Sequence, residues 1–522
     1  MRFSDHRTIF LQLLVGLLLV AARGAGAQPG EPCAELAQQD FSDVPDAPAQ
    51  IVRATRAADG DQHETCRVRG YIAPRIEFEL LLPVGGWNGK LLHKGCGGFC
   101  GSLAHLSACE GPAAQGYACI VSDMGHASTA TDAKWGYNDL QAEFDFSFRA
   151  TYVTTVIGRA ITSRYYRSAI KRAYFDGCST GGRQALMAAQ RFPEQFDGII
   201  VGAPAVSESG GGVPGIWAMR TLARAGDPGR SVLSAADVQR LHAAVLARCD
   251  QLDGLEDGIL NDPRDCRFDP AELSCGAAGP SNCWNAEQVE AARRLYDGPR
   301  DSRGRRLAPG GLMPGSESNW VPAYVAKDGA LGYFGPFMAD LLRYLSFAED
   351  PGPAFTLDQF DFDRDPQRFL SLAQLFYASY NPNLRRARDH GTKIIQYHGW
   401  SDQSIWPGIS TDYYDLATTS MGGRKATQEF YRLFMVPGMN HCRGGVGATE
   451  IDYLTALDSW VEMGEAPASL LGTHRVDGVV KFQRPVFPYP ARAKYLSGRD
   501  PDAATSFVIE PGTKKRRADP SD

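Results

Sequence analysis

Charge of one sign is scarce in this chain: 54 Lys and Arg against 60 Asp and Glu leave a formal net charge of −6 over 522 residues. So small an excess argues against nucleic acid as a ligand, since that recognition rests on dense positive surface. The only dense basic run, Lys514 to Arg517, lies in a polar tail ending Asp519-Pro520-Ser521-Asp522 and reads as a solvated, frayed terminus. Beyond the N-terminal stretch no apolar run is long enough to cross a bilayer. Internal repeats and low-complexity tracts are missing too. What remains is ordinary globular composition, 43% apolar and 22% charged, in a chain long enough for a large core and for more than one domain.

At the N-terminus Arg2 and Arg7 precede an apolar run from Ile9 to Ala22, and small residues ending Ala25-Gly26-Ala27 follow. These are the three parts of a secretory signal, with cleavage expected after Ala27. A membrane anchor is the competing reading, opposed by the shortness of the run and by the small-residue site directly behind it. The expected product is secreted, periplasmic or extracellular, with no stable membrane association once the signal is gone. Export implies an oxidising compartment, so the 12 cysteines, an even number, read as a disulfide framework.

Between about Tyr71 and Ala203 short β-rich runs alternate with helical stretches, as a mostly parallel sheet flanked by helices requires. Lys90 to Leu92, Ala118 to Ser122, Ala173 to Phe175 and Ile199 to Val201 read as strands, and Gln184 to Arg191 as a helix. From roughly Val206 to Leu384 loops rich in Gly, Pro and Asp, clustered cysteines and isolated helices replace that rhythm, which reads as an insertion. Strand-like sequence resumes at Lys393 to Tyr397 and Phe430 to Val436, followed by a helix from Ile451 to Met463. The expected fold is α/β: a hydrolase-type, mostly parallel sheet in two parts, residues 28–205 and 385–510. A large inserted lid, residues 206–384, splits it, and a flexible tail, 511–522, follows.

The sharpest local signal is Gly177-Cys178-Ser179-Thr180-Gly181-Gly182, set between a strand and a helix. It matches the nucleophile elbow G-x-S-x-G, whose glycines permit a turn too tight for flanking side chains and lift the serine to a helix N-terminus. An ordinary βα turn is the plainer alternative. A serine nucleophile needs a base, and in this fold the partners follow in the order Ser, acid, His. His398-Gly399-Trp400-Ser401-Asp402 follows one predicted strand and Pro437-Gly438-Met439-Asn440-His441-Cys442 the next, which makes Asp402 the orienting acid and His441 the base. Most histidines are packing or surface residues, and it is the order and the strand ends that single out His441. Cys178 precedes the serine and Cys442 follows the histidine, so a hydroxyl and imidazole within reach would bring the two sulfurs to bonding distance. A Cys178–Cys442 disulfide is therefore expected, against the alternative that each pairs elsewhere. The oxyanion hole should combine the Thr180 amide with one from Gly95-Cys96-Gly97-Gly98-Phe99, for which Gly98 is the choice, although a plain glycine turn would look the same.

Together the elbow with its preceding cysteine, the His398 to Asp402 loop, Asn440-His441-Cys442 and the glycine loop around Gly97 resemble the tannase and feruloyl esterase family, which also contains the mono(2-hydroxyethyl) terephthalate hydrolases. The resemblance runs over nearly all of the mature chain. It implies a Ser, Asp, His triad, bonded cysteines beside it, a lid over the site, and aromatic or phenolic ester substrates such as feruloyl or galloyl conjugates.

Inside the insertion, Cys249 to Ile259 gathers Asp250, Asp253, Glu256 and Asp257 with two glycines. Such a loop suits calcium, which favours oxygen ligands, although it lacks the EF-hand order and an acidic Asx-turn loop fits as well. The resemblance implies a structural calcium ion held by the side chains of Asp250, Asp253 and Asp257 and the carbonyls of Leu255 and Ile259. The remaining cysteines suggest the pairs Cys33 with Cys66, Cys249 with Cys266 and Cys275 with Cys283. Cys96, Cys100, Cys109 and Cys119 admit three pairings; zinc is the functional alternative, disfavoured by the missing C-x2-C spacing. Phe99, Trp400 and Trp406 are candidates either for a pocket taking a flat acyl group or for core.

The reading is a secreted serine ester hydrolase acting on small aromatic esters through an acyl-enzyme, without an organic cofactor. An acyltransferase using the same triad and a binding protein on a dead hydrolase scaffold are the alternatives, separable by product analysis and by a serine-reactive probe.

Overall fold

The chain is described here by a computed structural model covering residues 32–58, 63–206, 208–275, 283–373 and 376–512. The signal segment and the basic run at 514–517 lie outside the described residues.

Nine strands form one sheet: β1 (Ala49–Ala58), β2 (Glu64–Ile72), β3 (Ile76–Pro83), β4 (Lys90–Lys94), β5 (Ala118–Ser122), β6 (Arg172–Cys178), β7 (Gly198–Gly202), β8 (Lys393–Gly399) and β9 (Tyr431–Val436), in the order β1-β2-β3-β5-β4-β6-β7-β8-β9. The first three strands and β5 pair antiparallel. From β5 onward every neighbouring pair is parallel. The sequence shows why. In β2 the side chains alternate, Val68 and Ile72 buried against exposed Arg67, Arg69 and Tyr71, as in a strand with one wet face, whereas β5 and β7 are buried at every position and read as unbroken apolar runs.

The principal helices are α1 (Ala150–Tyr166), α2 (Thr180–Arg191), and, after β7, α3 (Glu208–Leu222), α4 (Ala235–Cys249) and α5 (Phe334–Tyr344), then α6 (Gly408–Ser420) and α7 (Tyr453–Met463); of these α1, α2 and α7 pack on the parallel strands. Between β7 and β8 the described residues add no strand to this sheet, only helices, loops and the short ribbon Ala223–Arg224 with Asp227–Ser231. This is the mostly parallel α/β sheet of hydrolases. Two features go beyond the sequence-based expectation: the antiparallel β1 to β3, and two C-terminal ribbons, β10 (Leu470–Val476) with β11 (Val479–Val486) and β12 (Arg492–Tyr495) with β13 (Phe507–Glu510).

All twelve cysteines are bonded: 33–66, 96–100, 109–119, 178–442, 249–266 and 275–283. The four cysteines around the glycine loop thus form two local bridges, which removes the zinc alternative. Among the described residues no helix is long and apolar enough to cross a membrane.

Candidate active site

The parallel strands β6, β8 and β9, with β7 between the first two, end on one edge of the sheet, and the loops leaving them carry Ser179, Asp402 and His441. Ser179 sits at φ 64° and ψ −120°, left-handed backbone that a non-glycine residue adopts only when its surroundings impose it. Those surroundings are specific: its amide donates to the Gly202 carbonyl at 3.0 Å, and its carbonyl accepts from Arg183 at 3.0 Å and Ala205 at 3.2 Å. The flanks must be bare, since a Cβ at Gly177 would lie 2.6 Å from the Gly181 oxygen and one at Gly182 2.1 Å from the Gly202 oxygen. Helix α2 starts at the next residue and is braced by Arg183, whose buried guanidinium donates to the Ser147 and Phe146 carbonyls at 2.8 and 3.0 Å.

The His441 imidazole and the Asp402 carboxylate are in contact. His441 Nδ1 lies 2.7 Å from Asp402 Oδ2, so the imidazole presents Nε2 on its other edge. Asp402 is fully buried; its Oδ1 accepts the amides of Ser404 and Ile405 at 2.7 and 3.0 Å. Burial alone would push this carboxyl up, but the adjoining His441 and the hydrogen bonds from His398 and His441 hold it well below the usual carboxylate range. The acid therefore stays ionised and fixed. Cys178 and Cys442, the neighbours of Ser179 and His441, are joined by a disulfide with a Cα–Cα distance of 5.9 Å, which ties the serine loop to the histidine loop.

The glycine loop after β4 is held at each peptide. The Gly97 carbonyl accepts the Cys100 amide at 3.0 Å, and because a trans peptide is planar the Gly98 N–H lies on its opposite side. The Gly98 carbonyl takes the Thr180 hydroxyl at 2.7 Å, the Phe99 amide donates to Ala130 at 2.8 Å, and the Phe99 carbonyl lies 2.7 Å from His126 Nε2. Gly98 has φ +57°, and a Cβ there would meet the Ala130 oxygen at 2.2 Å, so only glycine fits. Burial lowers the His126 imidazole to about 4 and keeps it a neutral brace.

Ser179, Thr180, Gly98 and His441 line one cavity of about 260 Å³. The insertion supplies its apolar wall through Phe334, Phe337, Met338 and Leu341 of α5, and Phe99 stacks on Phe337 with ring centroids 4.2 Å apart. Of the three candidate aromatics only Phe99 lines this cavity. Trp406 is core, with its Nε1 donating to the Tyr324 hydroxyl at 3.2 Å, and Trp400 is buried beneath the Arg264 guanidinium. A larger cleft of about 890 Å³, bordered by Asp262, Arg264, Arg492 and Glu510, contains no member of this constellation.

The acidic loop stands apart from the cavity. Asp250 accepts the Gly258 amide at 3.0 Å, Asp253 the amides of Leu255 and Asn261 at 3.1 and 3.2 Å, and Asp257 that of Ile259 at 3.1 Å. Asp257 also pairs with Arg484 at 3.2 Å. Among the described residues no three acidic, His or Cys side chains converge as a metal cluster. The loop nonetheless concentrates like charge: burial first, then Asp257 and Asp250, push the Asp253 carboxyl up to about 6. Its oxygen-only donor set has the chemistry of a hard-cation site.

Arg183, His126 and His398 are the contributors that sequence reasoning missed; His398 stands in the loop that yielded Asp402, but nothing local marks what its ring touches.

Comparison with known proteins places the chain in a family. The family described as "Tannase and feruloyl esterase" matches residues 60–509. The chain is 33% identical over 515 residues to the mono(2-hydroxyethyl) terephthalate hydrolase of Piscinibacter sakaiensis, covering 85% of this chain and 84% of that one. It is 31% identical over 448 residues to a probable feruloyl esterase of Arthroderma benhamiae, covering 81% and 80%. The fold superposes on a crystal structure of an esterase from Aspergillus oryzae with TM-score 0.82 at 24% identity, covering 92% of this chain and 99% of that one. For feruloyl esterase B from the same organism the values are 0.79, 24%, 91% and 100%.

Proposed function

The chain belongs to the tannase and feruloyl esterase family of carboxylic ester hydrolases, and from that premise we propose that it cleaves aromatic esters through an acyl-enzyme on Ser179. The Ser179 hydroxyl attacks the ester carbonyl as His441 Nε2 takes its proton; Asp402, bonded to Nδ1, holds the ring and stabilises its charged form. The amides of Thr180 and Gly98 receive the oxyanion. The alcohol leaves with the proton from His441, and a water activated by the same imidazole then releases the acid and restores the serine. The observation that carries this reading is the 2.7 Å His441–Asp402 contact on a loop disulfide-bonded to the elbow of Ser179.

An aromatic acyl group is supported by the Phe99 and Phe337 rings in the cavity, and by the feruloyl and terephthalate esters in the names of the two relatives. Six disulfides with every cysteine bonded support an extracellular or periplasmic site of action. The loop at Asp250, Asp253, Leu255, Asp257 and Ile259 is proposed to hold a structural calcium ion, supported by its crowded, incompletely neutralised carboxylates.

The test is a panel of methyl ferulate, methyl gallate and a terephthalate monoester with the wild type and Ser179→Ala, alongside labelling by a fluorophosphonate. Wild-type turnover and labelling, both abolished in a folded Ser179→Ala protein, are expected. Hydrolysis that survives the substitution rejects the mechanism.

A further inference from the structure

Behind the triad acid lies a polar chain that the hydrolytic scheme leaves unused. His398, Gln396, Ser410 and Tyr431 are each fully buried, on β8, α6 and β9, where unpaired polar groups would be costly. Their hydrogen bonds have a direction. His398 Nε2 lies 2.8 Å from the Ile405 carbonyl and 3.1 Å from Asp402 Oδ2. Both are acceptors, so Nε2 carries a proton. At the far end the Tyr431 hydroxyl donates to Gln396 Oε1, which leaves the Gln396 amide nitrogen to donate to Ser410 Oγ at 2.7 Å. Having accepted there, Ser410 turns its own proton to His398 Nδ1, also 2.7 Å away. Nδ1 is thus an acceptor and the ring is neutral.

We propose that His398 is a positioning residue for the triad: a second imidazole, locked as its Nε2–H tautomer by Ser410, Gln396 and Tyr431, that holds Asp402 at the same carboxylate oxygen that accepts from His441. This rests on the assignment of Asp402 as the triad acid. Asp402 Oδ2 then accepts from His441 at 2.7 Å and from His398 at 3.1 Å, while Oδ1 is fixed by two amides. A carboxylate gripped at both oxygens does not swing away when His441 becomes charged, so the ring stays aimed at the serine. The geometry is in place before reaction, which is where positioning lowers a barrier. Because His398 lies behind Ile405 and does not itself line the cavity, its loss is expected to bear on the chemical step more than on ester binding.

The experiment compares His398→Leu, which removes the donor, with His398→Gln, which keeps an amide donor, on one aryl ester. In the Leu variant kcat is expected to fall about 10- to 100-fold, the range for losing a supporting partner behind a reactive group, with KM changed by less than about twofold. The Gln variant should recover most of that loss. In parallel, 15N-histidine NMR of the wild type, with His398 assigned by its disappearance in the Gln variant, should show a neutral ring protonated at Nε2, and Ser410→Ala should disturb that signal. The NMR readout decides the matter if the Leu variant does not fold. A Leu variant with wild-type kcat, or a His398 ring protonated at Nδ1, overturns the proposal. Turnover that survives Ser179→Ala overturns the triad and this inference together, whereas loss in Ser179→Ala with an unaffected Leu variant rejects the inference alone.

Discussion

Two side chains make separable predictions. The Thr180 hydroxyl anchors the Gly98 carbonyl on the glycine loop, and in the proposed mechanism the amides of both residues receive the oxyanion. Thr180→Val keeps the β-branched shape and removes that anchor, which at about 1–1.5 kcal/mol for a lost hydrogen bond corresponds to roughly a tenfold fall in kcat. Affinity for a boronic acid analogue of the tetrahedral state should fall in step, and Thr180→Ser should restore both. Asp123 is pushed up to about 7 by burial, opposed by the Gly125 and Glu77 amides and reinforced by the charges of Glu77 and Asp145. The folded value lies above the unfolded value of about 3.9, so its contribution to stability is complete in acid and is lost as pH rises through about 7. Asn at 123 keeps one oxygen for both amides, now 3.0 and 2.7 Å away. The Tm of Asp123→Asn relative to wild type should therefore climb between about pH 5 and about pH 8 in scanning calorimetry; a constant difference contradicts the assignment. At this scale the placement of Ser179, Asp402 and His441 on loops at the ends of parallel strands was legible from strand, turn and chain order. His398 was not. Its role depends on Ser410, which a helix elsewhere delivers and no spacing announces.

Helix α5 shows how an element outside the sheet shapes the reaction. It brings Phe337 onto Phe99 and lines the cavity with Phe334, Phe337, Met338 and Leu341. An aromatic contact of about 0.5–1.5 kcal/mol means that Phe337→Ala should cut kcat/KM for methyl ferulate by up to roughly tenfold, with less than about threefold effect on an aryl acetate. Equal losses on both would place the ring in folding and not in acyl recognition. The parallel strands β4 to β9 were readable because double burial writes continuous apolar runs, and the chemistry sits at their ends. Strands β1 and β2 and the ribbons β10 to β13 escaped because they expose much of their surface and mix charged or polar side chains with apolar ones, which weakens the hydrophobic signal. The pairing of Cys96 with Cys100 and Cys109 with Cys119 was likewise closed to sequence. All three pairings are sterically open to a loop, and only the turn at Gly97 to Cys100 selects one.

For the molecule as a whole, the acidic loop and the long-range disulfide make predictions about stability. If calcium binds at Asp250, Asp253 and Asp257, chelation should lower the Tm by a few degrees, because a ligand of the folded state alone stabilises it. The kcat measured well below that temperature should stay unchanged, and Asp253→Asn should abolish the response. A chelator-insensitive Tm removes the ion and leaves an Asx-turn loop. The Cys178–Cys442 bridge spans 264 residues, and in the chain-entropy picture so long a closed loop lies near the top of the roughly 2–5 kcal/mol range for a disulfide. It also has a consequence of connectivity. Everything between the two sulfurs, including α3 to α5 and the acidic loop, belongs to a covalent ring, so one protease nick anywhere in that arc opens the ring without splitting the molecule. Such a clipped protein runs as a single band on a denaturing gel until a thiol reagent is added, and only then as two fragments.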